Sequence, residues 1–225
     1  MIIISGVSGG IGKNIVKYFA NSDDIVGLYN SNKIDFSYEN VITKKLDILS
    51  EKEISNMLSS LDLSNIVLVN LATVSIDGLI ANYSQENWNR TFDINVRGNF
   101  LLTKHLLPFM VMQKWGRIIN FSSVVSNRGT TGALAYGASK SAITGFSKGL
   151  AREYGRYNIT SNILNLGFME SGLINTLDCE KKKQILDKIP SGKFGDIENI
   201  ANAIKFLISS DYVNGATIDI DGGIN

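Results

Sequence analysis

Apolar residues in this chain fall in short blocks, and the spacing between apolar positions changes from one block to the next. Residues 2–5, 25–29, 41–46, 66–70, 117–121, 159–164 and 216–220 are runs of four to six residues rich in Ile, Val and Leu. Runs of this length bounded by turn residues read as strands. The fourth, Ile66-Val67-Leu68-Val69-Asn70, is apolar enough to be buried on both faces. Between the runs, apolar positions recur at helical spacing, as at Ile11, Ile15, Tyr18 and Phe19. Helices are predicted over 11–20, 50–60, 85 to about 113, 136–156 and 197–208. Glu51 and Glu53 sit in the first turn of the second. The third is expected to bend near Pro108. Residues 165–191 are looser and form the expected substrate loop, which ends at Pro190-Ser191-Gly192.

Strands that alternate with helices, and are themselves apolar throughout, predict a parallel sheet covered on both faces. The fold class is α/β, a Rossmann-type doubly wound sheet in one domain spanning residues 1–225. That length suits one domain and is short for two.

Composition narrows the chemistry. A net charge of +1 provides no field to draw nucleic acid or an anionic membrane. No run approaches the ~18 apolar residues of a membrane span, and Met1-Ile2-Ile3-Ile4 is too short for a signal peptide. The expected setting is cytoplasmic. One cysteine, Cys179, and one histidine, His105, exclude an intrachain disulfide and argue against a His/Cys metal site, so no metal is expected.

The turn Ser5-Gly6-Val7-Ser8-Gly9-Gly10-Ile11-Gly12 lies between the first strand and the first helix. Glycines there let the turn close and let backbone N–H groups reach a pyrophosphate at the positive end of a helix. Gly6, Ser8, Gly10, Ile11 and Gly12 are the candidate cradle. After the second strand, an Asp or Glu would accept the ribose hydroxyls of NAD. The chain instead has Tyr29-Asn30-Ser31-Asn32-Lys33. Asn30, Ser31 and Lys33 suit a 2′-phosphate, so NADP is favoured over NAD.

Tyr136 and Lys140 stand four residues apart, with Ser123 thirteen residues before the tyrosine. On a helix the pair shares one face, about 6 Å apart along the axis. A phenol has an ordinary pKa of about 10, and a neighbouring cation favours its ionised form. Ser123 falls at the carboxyl end of a strand, where open α/β sheets bind ligands. Its hydroxyl suits an oxygen on which charge develops. Together these are an acid, its tuning cation and an oxygen-binding group for carbonyl reduction.

These motifs, with Asn95 in Asp93-Ile94-Asn95-Val96, resemble the short-chain dehydrogenase/reductase family across nearly the whole chain. The stretches Gly116-Arg117-Ile118-Ile119-Asn120-Phe121-Ser122-Ser123 and Gly215-Ala216-Thr217-Ile218-Asp219-Ile220-Asp221-Gly222-Gly223 are similar to its 3-oxoacyl-(acyl-carrier-protein) reductases. The resemblance implies a seven-stranded parallel sheet, with Tyr136 as general acid, Lys140 on the nicotinamide ribose and Ser123 on the carbonyl. It implies that Asn95 holds a water in a proton relay. Asp47 would sit by the adenine, Asn70 and Ala72 would line the cleft, and Gly167 to Ser171 would pass the nicotinamide amide. A homotetramer or homodimer built on the two long helices is implied too.

Three positions depart from the family pattern. Asn70-Leu71-Ala72-Thr73 replaces Asn-Asn-Ala-Gly, Leu166-Gly167 replaces Pro-Gly, and Gly9 replaces a basic residue common in NADP-binding members. The reading is an NADP-dependent reductase of a ketone, small or carried on an acyl-carrier protein. Lys114 and Arg156 would greet an acidic carrier, or are plain solvated charges, and Lys181-Lys182-Lys183 suits a helix's solvent face. The alternatives are a reductase or dehydrogenase of a sugar, polyol or biosynthetic ketone, and a non-catalytic dinucleotide sensor. An enoyl-thioester reductase of this fold usually spaces its Tyr and Lys more widely.

Overall fold

Alternate residues of each strand go to opposite sides of one sheet in the computed structural model, which describes residues 1–171, 174 and 178–225. Ile2 and Ile4 enter one core and Ile3 the other; Val67 and Val69 enter the first and Leu68 the second. This period of two is the strand's own geometry, and here both faces are apolar because helices cover both.

The elements follow in chain order. β1 is Ile2–Ser5, α1 Gly10–Phe19, β2 Ile25–Tyr29, β3 Val41–Lys45, α2 Glu51–Ser59 and β4 Val67–Asn70. Then come α3 Gln85–Phe92, α4 Gly98–Gln113, β5 Gly116–Ser123, α5 Val125–Arg128 and α6 Leu134–Tyr154. The chain ends with β6 Ile159–Leu166, α7 Cys179–Leu186, α8 Ile197–Ser209 and β7 Thr217–Ile220. Strand order is β3-β2-β1-β4-β5-β6-β7 and every neighbouring pair is parallel. α1 and α8 supply one core layer through Ile15, Val16, Phe19, Ile200 and Ile204. α2, α4 and α6 supply the other through Ile54, Leu102, Leu106 and Leu150. This is the doubly wound sheet that the pattern predicts.

Four local expectations change. In α1 it is Val16 that is buried, while Tyr18 points outward and donates to Asn202 Oδ1 on α8 at 2.7 Å. The single helix over 85–113 is two helices joined by a π turn at Asp93–Arg97, with Gly98 N–H reaching Asp93 O. Pro108 lies inside an unbroken α4 on its exposed side. A π turn inserts one extra residue and commonly marks a functional segment. The loop over 165–191 holds α7, whose Asp178 cap accepts from Lys181 N–H at 2.8 Å. Its residues 172, 173 and 175–177 lie outside the described residues. Lastly, β6 runs on through the buried Leu166, which pairs with Ser123 and Ile220. A proline there would have removed a backbone donor.

Candidate active site

All strands being parallel, their carboxyl ends gather on one edge. The chain winds outward from β1 to β3, then returns to β4 on the other side of β1. The crevice at such a reversal is where open α/β sheets take ligands. Ser5 stands opposite Asn70 across it, and the Ser5 hydroxyl accepts from Ala72 N–H at 3.1 Å.

The glycine turn occupies this crevice. Gly6 has φ +75, and a Cβ there would lie 2.8 Å from Ala72 N. At Gly12 a Cβ would lie 2.5 Å from Gly6 O and 2.8 Å from Val7 Cα. Both obstacles are backbone, so neither can swing aside. α2, α3, α7 and α8 each begin with a Ser or Asp side chain that accepts a backbone N–H, and each has an acid in the first turn. α1 has neither: its cap is Gly9, with no side-chain bond and no acid behind it. Its first N–H groups keep their partial positive charge for another anion. That donor set fits the pyrophosphate of a dinucleotide. Ser8, Gly10, Ile11 and Gly12 all belong to this turn or to the first turn of α1.

At the end of β2 the loop begins with Asn30 and Ser31, both exposed. It is held against the glycine turn, because Gly6 and Val7 N–H both bond to Leu28 O, at 2.9 and 3.2 Å. Lys33 forms an ion pair with Asp35, Nζ to Oδ2 3.0 Å. The lysine read as a phosphate ligand therefore carries its own counter-ion. Asp47 follows β3, and its carboxylate accepts from Leu49 N–H at 2.9 Å. Asn70 is buried, with Nδ2 donating to Asn120 Oδ1 at 2.9 Å and Oδ1 without a partner among the described residues. Ala72 follows half-buried, and Gly167 N–H bonds to Ile220 O at 3.0 Å.

Ser123 ends β5, while Tyr136 and Lys140 lie one turn apart on α6. The Lys140 ammonium is buried, donates to Phe121 O at 3.0 Å and stands 5.7 Å from the centre of the Tyr136 ring. Burial pushes its pKa down from 10.5 to about 8. Burial pushes the Tyr136 phenol upward, and hydrogen bonding with the Ser123 hydroxyl opposes that shift. In the chain alone, then, the phenol stays protonated at neutral pH.

Asn95 lies in the π turn and its amide is fully engaged. Oδ1 accepts from Val74 N–H at 2.8 Å and from the Thr73 hydroxyl at 2.9 Å. Nδ2 donates to Val74 O and Ser139 Oγ, both at 2.9 Å. Ser139 Oγ donates onward to Tyr136 O at 2.7 Å. An amide has two donors and two acceptor lone pairs, so these four bonds use the whole side chain, which ties the segment after β4 to α6. The Asn95 backbone carbonyl oxygen accepts from Asn99 Nδ2 at 3.0 Å. Sequence reasoning missed Thr73, Ser139 and Asn99 as parts of this lock, and also the Phe121 carbonyl beneath Lys140. Thr73 departs from the family's glycine, which was the one signal available.

The chain matches known proteins over nearly its whole length. The family described as Enoyl-(Acyl carrier protein) reductase matches residues 6–225. The chain is 33% identical to the 3-oxoacyl-[acyl-carrier-protein] reductase FabG of Rickettsia bellii, covering 99% of this chain and 95% of the relative. It is also 33% identical to the FabG of Aquifex aeolicus, covering 99% and 86%. Among solved structures, one titled ElxO with NADP Bound superposes with a TM-score of 0.90 at 26% identity, covering 99% and 97%.

Proposed function

Since this chain belongs to the short-chain dehydrogenase/reductase family, we propose that it is an NADP-dependent reductase of a 3-oxoacyl thioester carried on an acyl-carrier protein. The carrying observation is the Tyr136 phenol beside the Ser123 hydroxyl, with the buried Lys140 ammonium 5.7 Å from the centre of its ring, on the same sheet edge as the uncapped α1. Its relatives named for 3-oxoacyl reduction support the substrate class, and the neighbour titled with NADP supports the cofactor.

A bound nicotinamide would supply the hydride. Ser123 donates to the substrate oxygen as negative charge builds there. Tyr136 gives its phenolic proton to that oxygen. Lys140, one turn along, favours the phenolate that remains. The backbone N–H groups of the glycine turn and of the start of α1 hold the pyrophosphate. Asn30, Ser31 and Lys33 would take the 2′-phosphate, the Asp47 segment would border the adenine, and the described part of the loop after β6 would lie towards the substrate. The protein works in the cytoplasm as a homotetramer or homodimer.

The family description names enoyl reduction. The four-residue step from Tyr136 to Lys140, with Ser123 beside the phenol, supports carbonyl reduction instead.

The test is oxidation of NADPH and NADH by the purified chain with an acetoacetyl thioester, beside Tyr136→Phe. NADPH turnover that falls by about 10²–10⁴ in the variant, with NADPH affinity unchanged, is expected. Equal turnover in the variant overturns the mechanism. NADPH binding without thioester turnover moves the substrate to sugar, polyol or biosynthetic ketones.

A further inference from the structure

We propose that Asp35 is a built-in stand-in for the adenosine 2′-phosphate: it occupies Lys33 when no phosphate is present and so sets how strongly the site prefers NADP to NAD. This rests on the nicotinamide-cofactor reading above and concerns how that site selects its ligand.

The observation begins in the backbone after β2. From residue 33 to residue 40 the chain alternates strictly: Lys33, Asp35, Ser37 and Glu39 are exposed, while Ile34, Phe36, Tyr38 and Asn40 are half-buried. Ile34, Phe36 and Tyr38 pack onto the core layer beneath α1. An extended segment sends residues i and i+2 to the same side, so anchoring these three side chains forces Lys33 and Asp35 outward together. Their ion pair, 3.0 Å between Nζ and Oδ2, follows from the anchoring.

Its position matters as much as its geometry. Leu28 O receives both Gly6 and Val7 N–H, and Tyr29 O receives Leu46 N–H at 2.8 Å. The end of β2 is thus clasped between the glycine turn and the segment leading to Asp47. A dinucleotide whose pyrophosphate rests on α1 brings its adenosine ribose to Asn30 and the residues after it. Among these, Lys33 is the cation, and Asp35 already holds it.

Both side chains are well exposed, at 68% and 71%. An exposed ion pair is weak and readily exchanged, whereas a phosphate monoester carries between one and two negative charges and three strong acceptors. Lys33 can therefore pass from the carboxylate to the phosphate, at a cost set by the pair. NAD has a hydroxyl at that carbon and leaves the pair intact. Asp35 then weakens NADP binding twice, by competing for Lys33 and by repelling the phosphate. It exerts neither effect on NAD.

The experiment is a binding titration, without substrate, of NADPH, NADH, 2′,5′-ADP and 5′-AMP to the whole chain. The proteins are wild type, Asp35→Asn, Lys33→Gln and the double variant. Both positions are exposed, and circular dichroism checks that each variant is folded. The expected result is about three- to tenfold tighter NADPH and 2′,5′-ADP in Asp35→Asn, with NADH and 5′-AMP within about twofold. In the Lys33→Gln background the same Asp35→Asn change yields less than half of that gain, because its larger part passes through Lys33. Weaker NADH in Asp35→Asn overturns the proposal by making Asp35 a ribose ligand. A full gain without Lys33 overturns it too, leaving only a general repulsion. Failure of wild type to bind any of the four ligands overturns the cofactor reading and this proposal with it. Tight but variant-independent NADPH binding overturns this proposal alone.

Discussion

At the scale of single residues, the site is costly to assemble. Lys140 is buried in a place that lowers its pKa from 10.5 to about 8, so between those values the unfolded chain holds a proton that the folded chain has released. Stability then rises with pH across that window, and the charged lysine penalises the fold fully below about pH 8. The Tyr136 phenol, raised above 10.0, has the opposite slope, but only above pH 10, where the unfolded chain ionises first. Lys140→Met is therefore expected to stabilise the fold near pH 7 by up to about 3 kcal/mol, and to lose most of this advantage by about pH 9.5. Chemical denaturation at the two pH values checks it; an equal difference at both would reject the buried charge as the cause. Thr73 offers a second check. Its hydroxyl fills a lone pair of the buried Asn95 amide, so Thr73→Val is expected to cost about 1 kcal/mol and Thr73→Ser much less, in the same denaturation measurement. Ser123, Tyr136 and Lys140 were legible in the sequence because the serine ends an apolar strand and the other two share a helical face. The Thr73, Asn95 and Ser139 lock was not, because its three members are far apart in the chain and meet only through packing.

At the scale of elements, the glycine turn is the most constrained piece. Gly12→Ala puts a methyl 2.5 Å from Gly6 O, and since the obstacle is backbone the turn itself must move. The variant is expected to lose about 1–3 kcal/mol of stability and to bind NADPH at least tenfold more weakly; nucleotide titration beside thermal unfolding measures both. Unchanged NADPH affinity would separate the turn from the cofactor. The turn was readable because glycines between a strand and a helix leave few conformations to choose from. The break between α3 and α4 was not. Apolar spacing alone cannot register one inserted residue, and Pro108 drew the expected bend to the wrong place. The π turn exists where Asn95 reaches both the segment after β4 and α6, which is a tertiary requirement.

For the whole molecule, α4 and α6 leave apolar and small residues open. α4 buries Leu101, Leu102, Leu106, Leu107 and Met110, yet leaves Phe100 at 46% and Met112 at 74% exposure. Its outward stripe, Phe100, Lys104, Pro108 and Met112, is apolar but for one lysine, and exposed apolar stripes of this kind mark contact surfaces. On α6, Gly145 and Gly149 have open space where a Cβ would point, so another backbone can approach closely. The proposed assembly uses these faces. Phe100→Glu combined with Met112→Glu is expected to convert the assembly to monomers in sedimentation velocity, without change in the far-ultraviolet circular dichroism. A wild-type monomer at micromolar concentration would reject the assembly.

The sequence by itself determined the strand and helix alternation, the parallel doubly wound sheet, the glycine turn between β1 and α1, and the strand-end and helix positions of Ser123, Tyr136 and Lys140. Each of these follows from local periodicity or from backbone sterics, which act over a few residues and are written in residue order. Only the tertiary structure decided that Asn95 spends its amide on locking two segments together, that burial moves Lys140 and Tyr136 in opposite directions, and that the anchored segment after β2 turns Lys33 and Asp35 to one side. Each of those depends on which distant groups surround a side chain and how much water they displace, quantities that packing sets and residue order alone does not.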